Sequence, residues 1–351
     1  MANGITVMVE MFAGLALILI LALSMAMFGC GQDDKAQAIT PVSMSTETIE
    51  PETTPTIVIE PVVDQPIVEI EEPQPVSFEV AESAYNDRNY AEAVRLFAVY
   101  TEENEGNAWG HYMYGLAAKK SGDLYLAELS FNRALELDPN HVKSILNLSR
   151  VLIDDGRPQE ALDQLDRALD LDPQSSVAFR LQGRAMHNLG WFDEALTAYR
   201  EAIVIDTADA WSINNLALVH LEQEQYEEAL TALSRTIELR DDIALFFNNL
   251  GIALENTGHV RQAQEAYTTA IELDAAYDKA SVNLARVERV DQATDVIPAD
   301  FEDLAKVFIE EIRSWNEEAL AAEDADLSEF DQVVESESES DSTKSFELYE
   351  F

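Results

Sequence analysis

The sequence predicts an all-α fold in which antiparallel helix pairs stack into an elongated solenoid. The first observation is an alanine that recurs every 34 residues without a gap, at Ala93, Ala127, Ala161, Ala195, Ala229 and Ala263. The second is that columns of small and of bulky residues keep fixed distances from these alanines. The third is a column of glycines between the two halves of the repeat. Repeats of this length form stacked arrays with one continuous core.

The small and bulky columns indicate one closely packed helix pair in each repeat. A small residue lies twelve positions before each alanine, at Ala81, Gly115, Ser149, Gly183, Ala217 and Gly251. A bulky apolar residue lies four positions after it, at Phe97, Phe131, Leu165, Tyr199, Leu233 and Tyr267. Small side chains allow two antiparallel helices to approach closely, and the bulky residue fills the remaining space.

The glycine column marks the turn between the two helices of a repeat. Its members are Gly122, Gly156, Gly190 and Gly258, where a left-handed residue can end the first helix. Two repeats close with Asp-Pro, at Asp138-Pro139 and Asp172-Pro173. A 34-residue unit with these features resembles the tetratricopeptide repeat (TPR). The resemblance implies a right-handed α-solenoid of six helix-turn-helix units over residues 76–290, in which Asp278 to Val290 forms a capping helix.

The composition and the scattered polar residues argue against several classes of function. The formal net charge is -45, which disfavours binding to nucleic acid and to anionic lipid through a basic patch. The five histidines have no metal-ligand spacing, and Cys30 is the only cysteine. The sequence has no glycine-rich phosphate loop and no nucleophile elbow. We therefore expect a protein that is not an enzyme and needs no cofactor or metal.

Residues 1–30 resemble a bacterial lipoprotein signal. An uncharged apolar run at 11–28 is followed by Gly29 and Cys30, and in that family the cysteine becomes the lipidated first residue. The alternative is an uncleaved transmembrane helix, because 18 apolar residues just suffice to span a bilayer. Either alternative predicts membrane anchoring in the bacterial cell envelope, facing the periplasm. If Cys30 is lipidated, the outer membrane is favoured, because Gly31 is not the aspartate that retains lipoproteins at the inner membrane.

The segments that flank the repeats are acidic and differ in character. Residues 31–75 contain seven of the 11 prolines among Thr, Val and Glu, which predicts an extended, disordered linker. Residues 299–322 predict an amphipathic helix, either packed on the last repeat or free to bind another protein. Residues 323–351 predict an acidic disordered tail. The part from Glu335 to Phe351 carries carboxylates and aromatic residues, so this tail is itself a candidate occupant of a basic groove.

The TPR resemblance also implies that the first helix of each unit lines a concave groove. The inward positions carry bases and amides, namely Lys119, Lys120, Lys143, Arg150, Arg180, Arg184, Asn214, Asn248 and Arg286. Arg and Lys suit charge-assisted contacts to carboxylates, so we expect an acidic or carboxy-terminal peptide segment as the ligand. The alternative is that these bases pair with acidic residues of neighbouring helices.

These features together predict a protein-binding scaffold of the cell envelope. A lipoprotein that carries six such repeats resembles the pilotin-like lipoproteins of type IV pilus assembly, which implies envelope protein partners and a role with a secretin ring. The alternative function is an adaptor that recruits cell-wall hydrolases or proteases.

Overall fold

The computed structural model describes residues 76–289, 297–318 and 320–321, and this part of the chain is all-α. It contains six helix pairs, a single helix that caps the array and one further helix after it. The predicted fold class of six helical units with a capping helix is confirmed. The predicted anchor at 1–30, linker at 31–75 and acidic tail at 323–351 lie outside the described residues.

Units 1 to 6 each contribute a first and a second helix. The first helices are α1 (Phe78–Asn86), α3 (Ala108–Ser121), α5 (Val142–Asp154), α7 (Ser176–Asn188), α9 (Ala210–Glu222) and α11 (Ala244–Asn256). The second helices are α2 (Tyr90–Glu103), α4 (Leu124–Leu137), α6 (Pro158–Leu171), α8 (Phe192–Ile205), α10 (Tyr226–Leu239) and α12 (Val260–Leu273). The capping helix is α13 (Asp278–Val287), and α14 spans 301–318.

Local capping interactions explain where several helices begin. The Asn107 side chain accepts a hydrogen bond from Gly110 N at 3.1 Å, and Asp123 accepts one from Leu126 N at 2.9 Å. Pro158 occupies the first turn of α6, where no backbone N–H is needed for an intrahelical bond. These polar contacts satisfy orphan backbone donors and fix the start of each helix.

The two helix layers differ in how closely neighbouring units approach. First helices of adjacent units contact one another along the array, whereas contacts between adjacent second helices are sparser. An array whose one layer is more closely spaced must curve toward that layer. The first helices therefore line the concave inner surface, and the second helices form the outer surface.

The small and bulky columns meet within each hairpin, as the sequence indicates. A Cβ atom added to Gly115 would lie 2.7 Å from the ring of Phe131, and one added to Gly251 would lie 2.5 Å from Tyr267. Both rings are fully buried. Any larger residue at these glycines would push the second helix away. The glycines therefore set the distance between the helices of their unit.

The turn between the helices uses a left-handed residue in all six units. Gly122, Gly156, Gly190 and Gly258 have φ between 76° and 90°. Units 1 and 5 place Arg88 (φ 61°) and Glu224 (φ 59°) at the same column. The packing of the unit thus imposes the left-handed conformation whether or not the residue is glycine. For a residue with a Cβ atom this conformation costs about 1 kcal/mol.

Replacing Glu224 with glycine is expected to stabilise the array. Glu224→Gly removes the Cβ clash of the left-handed conformation, so the free energy of unfolding should rise by about 1 kcal/mol in urea denaturation. The matched control is Gln223→Gly, one residue earlier at φ -87°, which should lower stability because glycine only adds chain entropy there. A lower unfolding free energy for Glu224→Gly would contradict the assignment of strain at this turn.

Helix α14 packs on the array, and it crosses three units rather than only the last one. At its start, Gln262 of α12 exchanges two hydrogen bonds with the backbone of Ala299, at 2.7 and 2.9 Å. Near its end, the guanidinium of Arg200 of α8 lies 5.2 Å from the ring centre of Trp315. Between these points Phe308 is 1% exposed. Because α14 runs back from unit 6 to unit 4 across the second helices, we call it the return helix.

One acidic side chain of the return helix is unfavourably placed. Burial raises the pKa of Glu311 above its ordinary value, Arg200 and His220 oppose this shift, and Glu228 adds to it. An acid whose pKa is higher in the folded state is destabilising when ionised, and the penalty disappears at a pH where both states are protonated. Docking of the return helix should therefore weaken as the pH rises through the region above 4.5.

Neutralising this side chain should strengthen docking of the return helix at neutral pH. Glu311→Gln is expected to raise the melting temperature at pH 7 and to lose this advantage below pH ~4, where Glu311 itself is protonated. Thermal unfolding from pH 3.5 to 8 measures the effect. The control is Glu317→Gln on the exposed side of the same helix, for which no such pH-dependent difference is expected. Equal behaviour of the two variants would show that Glu311 carries no penalty.

Candidate peptide-binding groove

Four of the predicted groove bases form ion pairs across neighbouring elements. Arg180 binds both carboxylate oxygens of Asp209 at 2.6 and 2.7 Å. Arg184 donates to Asp154, which also lies 3.8 Å from the Lys119 ammonium group. The sequence left two alternatives for the bases of the groove, binding a ligand or pairing with acidic residues of neighbouring helices. For these bases the structure shows the pairing.

The fourth pair lies at the C-terminal end of the inner surface. Arg286 of the capping helix donates to both carboxylate oxygens of Glu255, at 3.0 and 2.6 Å. The same carboxylate accepts a hydrogen bond from the hydroxyl of Tyr267 at 2.9 Å. Burial and the charge of Glu255 raise the pKa of Tyr267, so this hydroxyl remains a donor at neutral pH. Arg286 therefore has a structural role that ties the capping helix to unit 6.

Three other predicted bases have no carboxylate within 4.0 Å among the described residues. Lys120 is exposed on α3, and the Lys143 ammonium group lies 5.5 Å from the ring centre of Trp109. Arg150 is half-buried on α5 and donates to the Asn147 side chain at 3.1 Å. Since an amide carries no charge, this contact supplies no counter-charge, and Arg150 interacts with Asp154 only at longer range.

Five of the six bases of units 2 to 4 interact electrostatically, and Lys143 lies seven residues before Arg150 on the same helix. We call them the basic cluster: Lys119, Lys120, Lys143, Arg150, Arg180 and Arg184. Burial lowers the pKa of Arg150, and the positive charge of Arg180 lowers it further. Burial also lowers the pKa of Lys119, and Arg150 and Arg184 add to this effect. Only Asp154 and Asp209 lie within 4.0 Å of the cluster, so the described residues leave an excess of four positive charges.

The inner surface of units 5 and 6 carries buried asparagines. Asn214 and Asn248 are 1% and 3% exposed. The Asn214 side chain accepts a hydrogen bond from Asn249 at 2.9 Å, and Asn248 accepts one from Asn283 at the same distance. With Asn215 these residues form what we call the amide array, which lines a groove of about 500 Å³ together with apolar side chains, Asp278 and Lys279. Each amide NH₂ group has two donors, so the array can also bond to an extended backbone.

Three members of the amide array were absent from the predicted site. Asn215, Asn249 and Asn283 follow one another at intervals of 34 residues, and this recurrence is visible in the sequence. The predicted inward positions did not include their column, which lies one residue after Asn214 and Asn248. The periodicity of a polar residue type was the signal that could have found them.

Two further properties of the described part of the chain bear on its chemistry. It contains no group of three or more His, Cys, Asp or Glu side chains placed to hold a metal ion. Nor does any helix within 76–289, 297–318 or 320–321 have the length and apolar character needed to cross a membrane.

The comparisons with known proteins agree with the fold and the repeat. Three family models of the tetratricopeptide repeat match residues 118–185, 210–240 and 244–277. No protein of curated function matches the sequence.

Solved structures with a similar fold include other repeat proteins. A tetratricopeptide repeat protein from Parabacteroides merdae is 13% identical, with a TM-score of 0.54 over 60% of this chain and 82% of that one. The APC/C hetero-tetramer Cut9-Hcn1 is 15% identical, with a TM-score of 0.53 over 59% of this chain and 41% of the matched one. At these identities the similarity concerns the fold alone.

The helix pairs and their curved stacking define the class of α-helical repeat proteins, whose inner surface is built from one helix of each unit. The 34-residue period and the matched family models specify the kind of repeat: the matched residues form tetratricopeptide repeats. Such repeats form scaffolds that bind protein partners and are typically non-catalytic. This chain is therefore a scaffold for protein–protein binding.

The amide array should contribute to stability as well as to the groove. Asn249→Ala removes the donor that binds the buried Asn214 side chain, so the free energy of unfolding should fall by about 1–2 kcal/mol. Urea denaturation measures the change. The matched control is Asn256→Ala, an exposed asparagine whose side chain donates only to the Ile252 carbonyl, for which a smaller loss is expected. Equal losses would show that the buried contact contributes nothing beyond an exposed one.

Proposed function

We propose that the inner surface binds an extended acidic peptide of a partner protein. The observation that carries this proposal is the basic cluster, where six bases share two carboxylates in a chain of net charge -45. Like charges held together on a half-buried surface repel one another, and an anionic ligand relieves that repulsion. The site therefore favours carboxylates although the molecule as a whole repels them.

Two regions of the groove have different roles in this proposal. The basic cluster provides charge: Arg150 has guanidinium donors left after its bond to Asn147, and Lys120 and Lys143 are exposed. Charge-assisted bonds from these side chains select acidic residues in the ligand. The amide array of units 5 and 6 provides neutral donors and acceptors that can hold the backbone of a peptide of any sequence. A peptide that spans both regions is acidic at the end bound by the basic cluster, and the amide array places fewer requirements on the side chains at its other end.

We further propose that the scaffold works in the bacterial cell envelope, anchored to a membrane and facing the periplasm. The support is the sequence pattern of residues 1–30, in which an apolar run precedes Cys30. Lipidation of Cys30 favours the outer membrane, and an uncleaved helix is the alternative anchor. The proposed partners are then other envelope proteins, in type IV pilus or secretin assembly. Recruitment of cell-wall hydrolases or proteases is the second candidate, and capture of soluble enzymes instead of secretin or pilus subunits would favour it.

Reversing the three bases without an ion pair should abolish binding of acidic peptides. The variant K120E/K143E/R150E breaks no described salt bridge and is expected to bind a fluorescent peptide of alternating Glu and Ser at least about tenfold more weakly than the unaltered chain. Fluorescence anisotropy at low and at physiological salt measures the affinity. A peptide of alternating Gln and Ser shows whether the carboxylates are needed.

The matched control carries the same change of charge outside the groove. In R95E/R133E/R313E the altered residues lie on α2, α4 and the return helix, where, among the described residues, each pairs with a carboxylate three positions away. Peptide affinity should change little in this control. If both triple variants lose affinity equally, net charge rather than the basic cluster governs binding, and the groove is not the site.

A further inference from the structure

We propose that the acidic segment 322–351 of the same chain occupies the basic cluster, so that a partner must displace it to bind. This inference rests on the proposed function, because it names an occupant of the same groove. Two separate features carry it: the path of the return helix and the uncompensated charge of the basic cluster.

The return helix delivers the segment to the units that carry the basic cluster. It starts beside unit 6, where Gln262 binds Ala299, and reaches unit 4, where Arg200 lies over Trp315. Unit 4 also contributes Arg180 and Arg184 to the basic cluster. A chain that continued straight on from the capping helix would instead leave the array at its far end. The return path shortens the distance that segment 322–351 must cover.

The segment is long enough to pass from the outer surface to the inner one. The return helix lies on the second helices, whereas the basic cluster lies on first helices, so the chain must pass around the edge of the array. Two packed helix layers are about 20 Å thick. The 30 residues of 322–351 can span up to roughly 100 Å when extended. The 13 residues from 322 to 334 alone reach about 40 Å, which is enough to bring Glu335 to the inner surface.

The charge pattern of the segment matches the basic cluster. It contains eleven Asp and Glu residues and one lysine. Glu335, Glu337, Glu339 and Asp341 alternate with serines. In an extended chain alternate side chains point to the same side, so this stretch can present four carboxylates to one surface. The basic cluster has an excess of four positive charges.

Tethering makes this contact effective even if each ion pair is weak. A ligand tethered close to its site has an effective concentration there on the order of millimolar. A partner with an acidic peptide must compete with the tethered segment, so its apparent affinity falls by the fraction of chains in which the groove is open. The segment thereby acts as an internal competitor that sets a threshold for partner binding.

Site-specific photo-crosslinking in the full chain tests the proposal. Benzoylphenylalanine in place of Phe346 should crosslink to α3, α5 or α7, as located by mass spectrometry of the digested protein. The variant K120E/K143E/R150E should reduce these crosslinks about tenfold, whereas R95E/R133E/R313E should leave them in place. In a mixture of isotopically heavy and light chains, the crosslinked peptides should pair heavy with heavy and light with light. Crosslinks that are absent, lie elsewhere or join heavy to light peptides would overturn the proposal of an internal occupant.

A second measurement separates this inference from the proposed function. A full chain with a neutralised segment, E335Q/E337Q/E339Q/D341N, should bind the fluorescent Glu-Ser peptide several-fold more tightly than the unaltered chain. Equal affinities would count against an internal competitor and leave the groove's peptide binding intact. Failure of the neutralised chain to bind the peptide would instead reject the proposed function of the groove.

Discussion

The contact between a small residue of the first helix and a buried ring of the second is the constraint on which the whole array depends. At Gly183 an added Cβ atom would lie 2.7 Å from Tyr199, so the helices of unit 4 can approach as they do only because that atom is missing. Where the bulky column has leucine, as at Leu165 and Leu233, the small column has Ser149 or Ala217 instead of glycine. In units 2 to 6 the two columns therefore adjust to each other, whereas unit 1 pairs Phe97 with Ala81. The hairpins that pair glycine with a ring pack more closely than those that contain leucine.

Hairpins of one length stack with a constant offset, and that offset creates polar features of the inner surface. The pairs Asn214 with Asn249 and Asn248 with Asn283 are each separated by 35 residues, one repeat and one position. Lys119 and Asp154 have the same separation, as do His187 and Glu222, which lie 2.9 Å apart. A residue on one first helix thus contacts the residue that lies one repeat and one position further along the chain, on the next first helix. These polar pairs along the groove are therefore positioned by the apolar packing between the helices.

The sequence predicted the repeat and the fold because the same residue types recur at equivalent positions every 34 residues. It predicted the charge of the groove less completely. Arg180 binds Asp209, whereas Arg150 binds an amide instead of a carboxylate. This difference depends on the length and rotamer of each side chain, and the aligned repeat sequences do not specify rotamers. The apolar stripe of the return helix predicted that one face is covered. It did not predict which surface covers it, because the path of the intervening residues decides whether such a helix caps the last unit or turns back.

The return helix also bears on where a partner can bind. Its apolar side chains, including Phe308 and Ile312, are buried against the second helices of the C-terminal units. That part of the outer surface is therefore occupied by the chain itself. Within the described residues the return helix leaves the first helices uncovered, and these helices, with Asn283 of the capping helix, carry the basic cluster and the amide array. The acidic outer surface repels anionic ligands, so the surface that can bind them is the concave one. There the burial of Arg150 strengthens its electrostatic contacts.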